Sequence, residues 1–136
     1  MSLFFRKTSD QDQTFVLFTK WLDCILKKDL HKDIKTFNFN IYEGTKNTYD
    51  IELIGSDEYF EEDYDWACSD YFTTNNNLFF IKRKENIINW EDGLKYVIEL
   101  VKRYLINGKY ANILKDTLAV SVGFVNGDLE IVYSNN

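Results

Sequence analysis

The sequence FNFNIYEGTKNTYDIELI, residues 37–54, decides the fold of this chain. Apolar side chains occupy every second position on both sides of its central turn, at Phe37, Phe39, Ile41, Tyr49, Ile51 and Leu53. A period of two is typical of strands that bury one face. Because only a short polar stretch at residues 43–47 separates the two runs, the sequence predicts an antiparallel hairpin.

Two amphipathic helices are predicted outside the hairpin. Over residues 10–30, apolar residues recur at spacings of three and four, as a helix with one buried face requires. The second helix follows Asn89, a good N-cap, and its apolar stripe begins at Trp90. We expect this helix to end at Gly108 in a left-handed conformation.

Three more strands complete the pattern, at residues 78–82 and on both sides of Asn126-Gly127, which is a strong hairpin signal. We therefore predict an α+β fold with about five mainly antiparallel strands and two amphipathic helices on one face. The opposite sheet face is expected to be exposed, because its residues are small or polar. They are Asn38, Asn40, Asp50, Glu52, Ala119, Ser121, Gly123 and Glu130.

Nothing in the sequence divides the chain of 136 residues. It has no internal repeat and no linker rich in Pro, Gly or Ser, and its length is ordinary for one domain. Aromatic residues make up 17% of the chain, so rings should dominate the packing of the core. We predict a single α+β domain over residues 1–136.

The charge of the chain is strongly segregated. The interval between Lys46 and Lys82 contains nine acidic residues and no basic one, so a net charge of −6 overall and −9 in this interval leaves +3 elsewhere. Such a field opposes nucleic acid and anionic membranes and attracts basic proteins. The predicted partner is therefore a basic protein, with no nucleic acid and no membrane.

Candidate catalytic and metal-binding residues are few. His31 is the only histidine. Cys24, expected to be a buried or half-buried packing residue, and Cys68 have no metal-binding spacing. Asp63 and Asp65 resemble the first two ligands of a calcium loop, but the third position is an alanine. The sequence predicts no enzyme activity, no cofactor and no metal, and a carboxylate-dependent hydrolase is the less favoured alternative.

Cysteine usage and the first residues predict a cytoplasmic protein. Two cysteines do not provide the disulfide framework of a small secreted domain. The charges of Arg6 and Lys7 follow a very short apolar stretch, which is the reverse of a signal peptide. No apolar run in the sequence approaches the roughly 20 residues that a membrane span requires.

The candidate functional site is the acidic, aromatic-rich segment at residues 57–72, whose charge Asp50 and Glu52 extend. Protein interfaces use rings for burial and carboxylates for steering, and a basic partner relieves the repulsion among so many like charges. The predicted partner-binding residues are Asp57, Glu61, Glu62, Asp63, Tyr64, Asp65, Trp66 and Asp70. The alternative is a solvated loop that Trp66 and neighbouring rings pin to the core.

Three stretches carry a family resemblance: Ile-Glu-Leu-Ile-Gly-Ser at 51–56, Glu-Glu-Asp-Tyr-Asp-Trp-Ala-Cys at 61–68, and Val-Gly-Phe-Val-Asn-Gly-Asp-Leu-Glu at 122–130. They resemble small bacterial proteins grouped with the immunity proteins of toxin systems. The resemblance implies a stoichiometric inhibitor that covers the active site of a basic toxin, such as a nuclease. A housekeeping interaction or assembly protein is the alternative, and the oligomeric state stays open.

Reversing the charge of Asp63 and Asp65 together, with lysine at both positions, is expected to slow association with the partner. The salt dependence of association should also weaken, because these carboxylates supply long-range attraction. Stopped-flow kinetics over a range of salt concentrations measures both effects, and circular dichroism verifies folding. Unchanged association kinetics would contradict the assignment.

Overall fold

The computed structural model describes residues 9–28, 30, 33–58, 72–74 and 77–135. Within them, the α-helices are α1 (Asp10–Leu26), α2 (Trp90–Asn107) and α3 (Ala111–Lys115), and a 3-10 turn lies at Glu85–Ile87. The strands are β1 (Thr36–Gly44), β2 (Thr48–Ser56), β3 (Phe72–Thr73), β4 (Phe79–Lys82), β5 (Ala119–Phe124) and β6 (Glu130–Ser134). This α+β composition confirms the predicted fold class.

The strands form one mixed, mainly antiparallel sheet. β2 pairs antiparallel with β1 and, along its other edge, with β3 and β4. β5 pairs in parallel with β1, and β6 pairs antiparallel with β5. The hairpin predicted at residues 37–54 is confirmed, with Phe39 opposite Leu53. The parallel pair joins strands that are far apart in the chain, with α2 and α3 in the connection between them.

A hydrophobic core lies between the sheet and the two long helices. The ring of Phe18 in α1 lies 6.0 Å from that of Phe39 in β1, 5.4 Å from Phe79 in β4 and 6.4 Å from Tyr104 in α2. Tyr104 also donates a 2.6 Å hydrogen bond to Asp23 of α1. Burial, reinforced by this carboxylate, raises the pKa of Tyr104 well above its usual value. Both helices therefore cover the same sheet face, as predicted.

Side-chain contacts explain where the helices begin and end. The Ser9 and Asn89 side chains each accept the backbone N–H three residues further on, at 3.1 and 2.9 Å, so the N-cap predicted at Asn89 is confirmed. α1 ends at Leu26, earlier than expected. α2 stops before Gly108, but that glycine has φ −70° and is not left-handed. Glycine suits the position because a Cβ would lie 2.5 Å from the Tyr104 ring.

A bulge changes the predicted faces of β6. The register shifts between Val120 and Ser121, which leaves one extra residue in β6. Ser121 consequently pairs with Ile131, which joins the outer face of the sheet, the face turned away from α1 and α2. Glu130 pairs with Val122 and lies on the helix side instead. The prediction that Glu130 belongs to the outer face is therefore wrong.

The outer face is partly buried. Exposure was predicted for four residues that the structure buries: Asn38, Ala119, Ser121 and Gly123. One reason is that the chain after β2 reaches this face, because the hydroxyl of Thr36, an outer-face residue of β1, donates to the carbonyl oxygen of Glu58 at 3.3 Å. Asn40, Asp50 and Glu52 stay half-buried.

The buried polar groups of this face satisfy one another. The Ser121 hydroxyl donates to Asn38 Oδ1 at 2.8 Å, and the Asn38 amide donates to Asn40 Oδ1 at 2.6 Å. A buried hydroxyl or amide without a partner would destabilise the fold by about 1–3 kcal/mol. The small polar residues from which we predicted a solvent-exposed face therefore form a row of hydrogen bonds across β1 and β5.

Tyr49 ties the hairpin to the start of α2. Its side chain is 1% exposed, and its hydroxyl oxygen lies 2.7, 3.1 and 3.0 Å from the carbonyl oxygens of Ile87, Ile88 and Asn89. Burial raises the pKa of Tyr49, so the hydroxyl remains a donor at neutral pH. The ring lies so close to Gly93 of α2 that a Cβ there would be 2.5 Å from it.

Gly93→Ala is expected to lower the free energy of unfolding by about 1–3 kcal/mol, because the new methyl group collides with the Tyr49 ring. At a solvent-exposed position inside a helix, replacing glycine by alanine raises the free energy of unfolding by about 1 kcal/mol. The sign of the change therefore tests whether the Tyr49 ring contacts position 93. Gly127→Ala is the control, since its Cβ would have no atom nearer than 3.6 Å. Urea denaturation measures both variants, and a stabilised Gly93→Ala protein contradicts the contact.

Candidate protein-binding surface

One of the eight predicted partner-binding residues, Asp57, lies in the part of the chain that the structure describes. It is half-buried immediately after β2. The other seven lie outside the described residues: Glu61, Glu62, Asp63, Tyr64, Asp65, Trp66 and Asp70. His31 and Cys68 lie outside them as well. The contact role of the seven residues therefore stays a prediction.

Both flanks of the acidic segment are fixed beside β2. On one side, the Glu58 N–H donates to Ser56 Oγ at 3.1 Å, and the Glu58 carbonyl oxygen accepts from Thr36. On the other side, β3 pairs with residues 54–55 of β2. The described residues on either side of the acidic segment, Glu58 and Phe72, therefore both lie next to the strand that carries Asp50 and Glu52.

Hydroxyl groups hold these two outer-face carboxylates in position. Tyr42 donates to one oxygen of Glu52 at 2.6 Å, and Thr73 donates to the other. Thr48 donates to Asp50 at 2.6 Å. Hydrogen bonds from neutral hydroxyls to an ionised carboxylate are strong and directional. The two charges are therefore preorganised at the surface.

Phe80 lies beside these carboxylates with most of its ring exposed. It is directly opposite Asp50 in the β2–β4 ladder, so the two side chains share the outer face. Its exposed fraction is 60%, against 8% for Phe79, which enters the core. We call the surface formed by Tyr42, Asp50, Glu52, Thr73 and Phe80 the acidic corner.

Phe80 is the part of this surface that sequence reasoning missed. From the sequence alone, we treated residues 78–82 as one apolar run. Two successive residues of a strand, however, face opposite sides of the sheet. The pair Phe79-Phe80 therefore carried the signal that one ring would lie outside the core. Lys82, two positions later, shares the outer face and marks the basic margin of the acidic corner.

A separate cleft of about 800 Å³ opens between the end of β1, the start of α2 and the β5–β6 connection. Trp90 forms one wall, with 55% of the residue exposed and its ring 6.2 Å from that of Phe124. The prediction that Trp90 begins the apolar stripe of α2 is wrong, because this first residue borders the cleft instead of the core. The carboxylates lining the cleft are those of Glu43, Asp128 and Glu130.

The carboxylates that line the cleft are exposed, and the Glu43 side chain retains 58% of its accessibility. No group of three His, Cys, Asp or Glu residues in the described ranges is arranged to hold a metal ion. The prediction that Cys24 is a buried or half-buried packing residue is wrong, because it lies outside the buried stripe of α1 and is exposed.

Comparison with known proteins found no matching family model, no similar curated protein and no similar solved structure. The resemblance to immunity proteins therefore stays a prediction. Of the helices that the structure describes, none combines the length and apolar character needed to cross a membrane.

The neighbouring residues Phe79 and Phe80 provide a matched test of this surface. Phe79→Ala is expected to lower the free energy of unfolding by about 3 kcal/mol, because it leaves a cavity in the core. Phe80→Ala should change it by no more than about 0.5 kcal/mol, since the ring is mostly in water already. Urea denaturation compares the two, and equal losses would mean that Phe80 is also part of the core.

Proposed function

We propose that this protein is a non-catalytic binding protein of the cytoplasm that captures a basic protein, in the manner of an immunity protein inhibiting a toxin. The observation that carries the proposal is the acidic corner. It combines carboxylates held by hydroxyl groups with an exposed ring, at the strand where the acidic segment is anchored.

The charge distribution supports a basic partner. Four of the nine acids between Lys46 and Lys82 are described, and they lie along β2 or directly after it: Asp50, Glu52, Asp57 and Glu58. A surface of one sign raises the association rate of an oppositely charged protein by about 10- to 1000-fold. The same charges repel nucleic acid, so a protein with a cationic surface is the partner that fits.

Phe80 supplies the short-range part of the proposed interaction. Burying an exposed phenylalanine side chain contributes about 1.5–3 kcal/mol, and aromatic anchors surrounded by polar groups dominate many protein interfaces. Because Asp50 and Glu52 already have hydroxyl partners in the free protein, little ordering entropy is lost when they meet a cation. The corner can therefore bind without rearranging the sheet.

Inhibition of a toxin is the specific form of the proposal. A toxin that acts on nucleic acid must present a cationic surface to phosphate groups, and an acidic protein can cover that surface in place of the substrate. Such an inhibitor needs affinity and fast association, and it needs no catalytic group. The fixed carboxylates and the exposed ring supply the first two.

The variant with Asp50→Asn and Phe80→Ala is expected to bind its partner at least about tenfold more weakly, through lost attraction and lost ring burial. The control variant carries Glu99→Gln and Ile106→Ala on the exposed side of α2, where Ile106 is 78% exposed. It removes one carboxylate and one apolar side chain as well, but should bind like the unmodified protein. Calorimetry with a partner isolated from the native cell measures both.

Equal affinity of the two variants for the partner would refute the acidic corner as the contact surface. For the toxin proposal, the unmodified protein should abolish the activity of the partner at a one-to-one ratio. A partner that is bound but remains fully active, or has no toxic activity, would refute the inhibitory role while leaving the contact surface in place.

A further inference from the structure

We infer that the cleft between β1, α2 and the β5–β6 connection receives an arginine side chain of a protein partner. The inference rests on the proposed function in taking the partner to be basic, but it concerns a different surface. The acidic corner lies on the outer face of the sheet, whereas the cleft is bordered by the start of α2 on the helix side, and Tyr42 at the end of β1 is the residue that the two surfaces share.

Trp90 and Phe124 form the aromatic wall of the cleft, and Tyr49 packs behind Phe124. Trp90 meets Phe124 in a T-shaped contact at 87°, and Phe124 meets Tyr49 at 5.9 Å and 69°. Tyr49 is in turn fixed by the carbonyl oxygens of residues 87–89. The exposed indole therefore packs against a ring that is itself supported by the buried Tyr49. Tryptophan is also the ring that attracts cations most strongly.

The charges that line the cleft are all negative. Among the residues that the structure describes, its lining contains three carboxylates and no lysine, arginine or histidine. Glu43 is partly neutralised by Arg83, whose Nη1 lies 3.5 Å away. Asp128 and Glu130 are exposed and have no ion-pair partner among the described residues. A cation that enters meets an indole and two uncompensated carboxylates.

The N-terminal end of α2 does not reverse this preference. A helix N-terminus carries a partial positive charge, which favours anions. Here the Asn89 side chain already accepts an N–H of the first turn, and Glu91 and Asp92 add two negative charges at the same place. The local field of the helix end is therefore offset, and the cleft as a whole favours a cation.

The openness of the cleft favours a side chain of a protein over a free small molecule. Ligand pockets bury about 70–90% of a small molecule and enclose it with buried walls. In this cleft Trp90, Val125 and residues 126–128 are exposed, with Val125 at 47%. These exposed residues form a rim that the body of a partner can cover while one of its side chains enters.

Arginine fits the arrangement better than lysine. Its planar guanidinium can stack on an indole and donate two parallel hydrogen bonds to a carboxylate. A lysine ammonium is a compact, strongly hydrated charge that makes neither contact in this way. The indole wall and the carboxylates of Asp128 and Glu130 line the same cleft, so one guanidinium can use both kinds of group.

The test is an NMR titration of the full chain with the capped peptide acetyl-Gly-Arg-Gly-amide. The indole N–H signal of Trp90, assigned with Trp90→Phe, is followed to saturation. The citrulline peptide keeps the shape without the charge, and the lysine peptide keeps the charge without the plane. The double variant Asp128→Asn, Glu130→Gln removes the free carboxylates, and Asp116→Asn at the end of α3 is the control.

We expect a saturable shift of the Trp90 signal in the millimolar range. Binding should be at least about fivefold weaker for citrulline, for lysine and in the double variant, but unchanged in Asp116→Asn. Equal binding of arginine and citrulline, an unaffected double variant or the absence of a saturable shift would overturn the inference. Equal binding of lysine would overturn the preference for arginine. Because no partner protein is used, a negative result leaves the acidic corner untested and standing, and the two failures are distinguishable.

Discussion

The buried hydroxyl of Tyr49 is the contact on which the rest of the structure depends. Lying within 3.1 Å of three successive carbonyl oxygens, it fixes the 3-10 turn and the N-cap of α2 to the middle of the sheet. An unpaired hydroxyl at this depth would destabilise the protein by about 1–3 kcal/mol, so the chain has a strong reason to keep this geometry. The same ring contacts Phe124 and leaves room only for glycine at position 93.

The two candidate surfaces follow from the period of two in β2. Tyr49 faces the helices and supports the aromatic wall of the cleft, while its neighbour Asp50 faces outward and belongs to the acidic corner. A slip of one residue in the β1–β2 register would exchange these faces and destroy both surfaces together. The buried row Ile51 and Leu53, each 0% exposed, makes that slip costly.

Much of the fold could be predicted because it rests on local patterns. Alternation predicted the hairpin, and cap chemistry predicted the start of α2 at Asn89, since both signals act over a few residues. The burial of Asn38 and Ser121 could not be predicted, because it involves pairing between strands far apart in the sequence and a contact with the chain that follows β2. The bulge in β6 is likewise decided by packing against β5.

The sequence predicted that the candidate site is acidic, but it predicted only part of how the side chains of the site are arranged. Asp50 and Glu52 followed from alternation, but the hydroxyls that hold Glu52 come from β1 and β3, which sequence spacing does not place together. The cleft was missed for the same reason, since it unites the end of β1, Trp90 and the β5–β6 connection. The contact residues predicted at 61–70 lie outside the described residues, and that part of the site stays a prediction.

The parallel pairing of β1 with β5 has a consequence for how the protein is made. Ser121 and Asn38 are 83 positions apart, so one edge of β1 stays without its partner strand until the ribosome has produced α2 and β5. During that interval the hairpin can form from local contacts, but its free edge invites pairing with other chains. The polar side chains of Asn38 and Asn40 make this strand less prone to aggregate than an all-apolar one, so Asn38, which later pairs with Ser121, also suits the nascent chain.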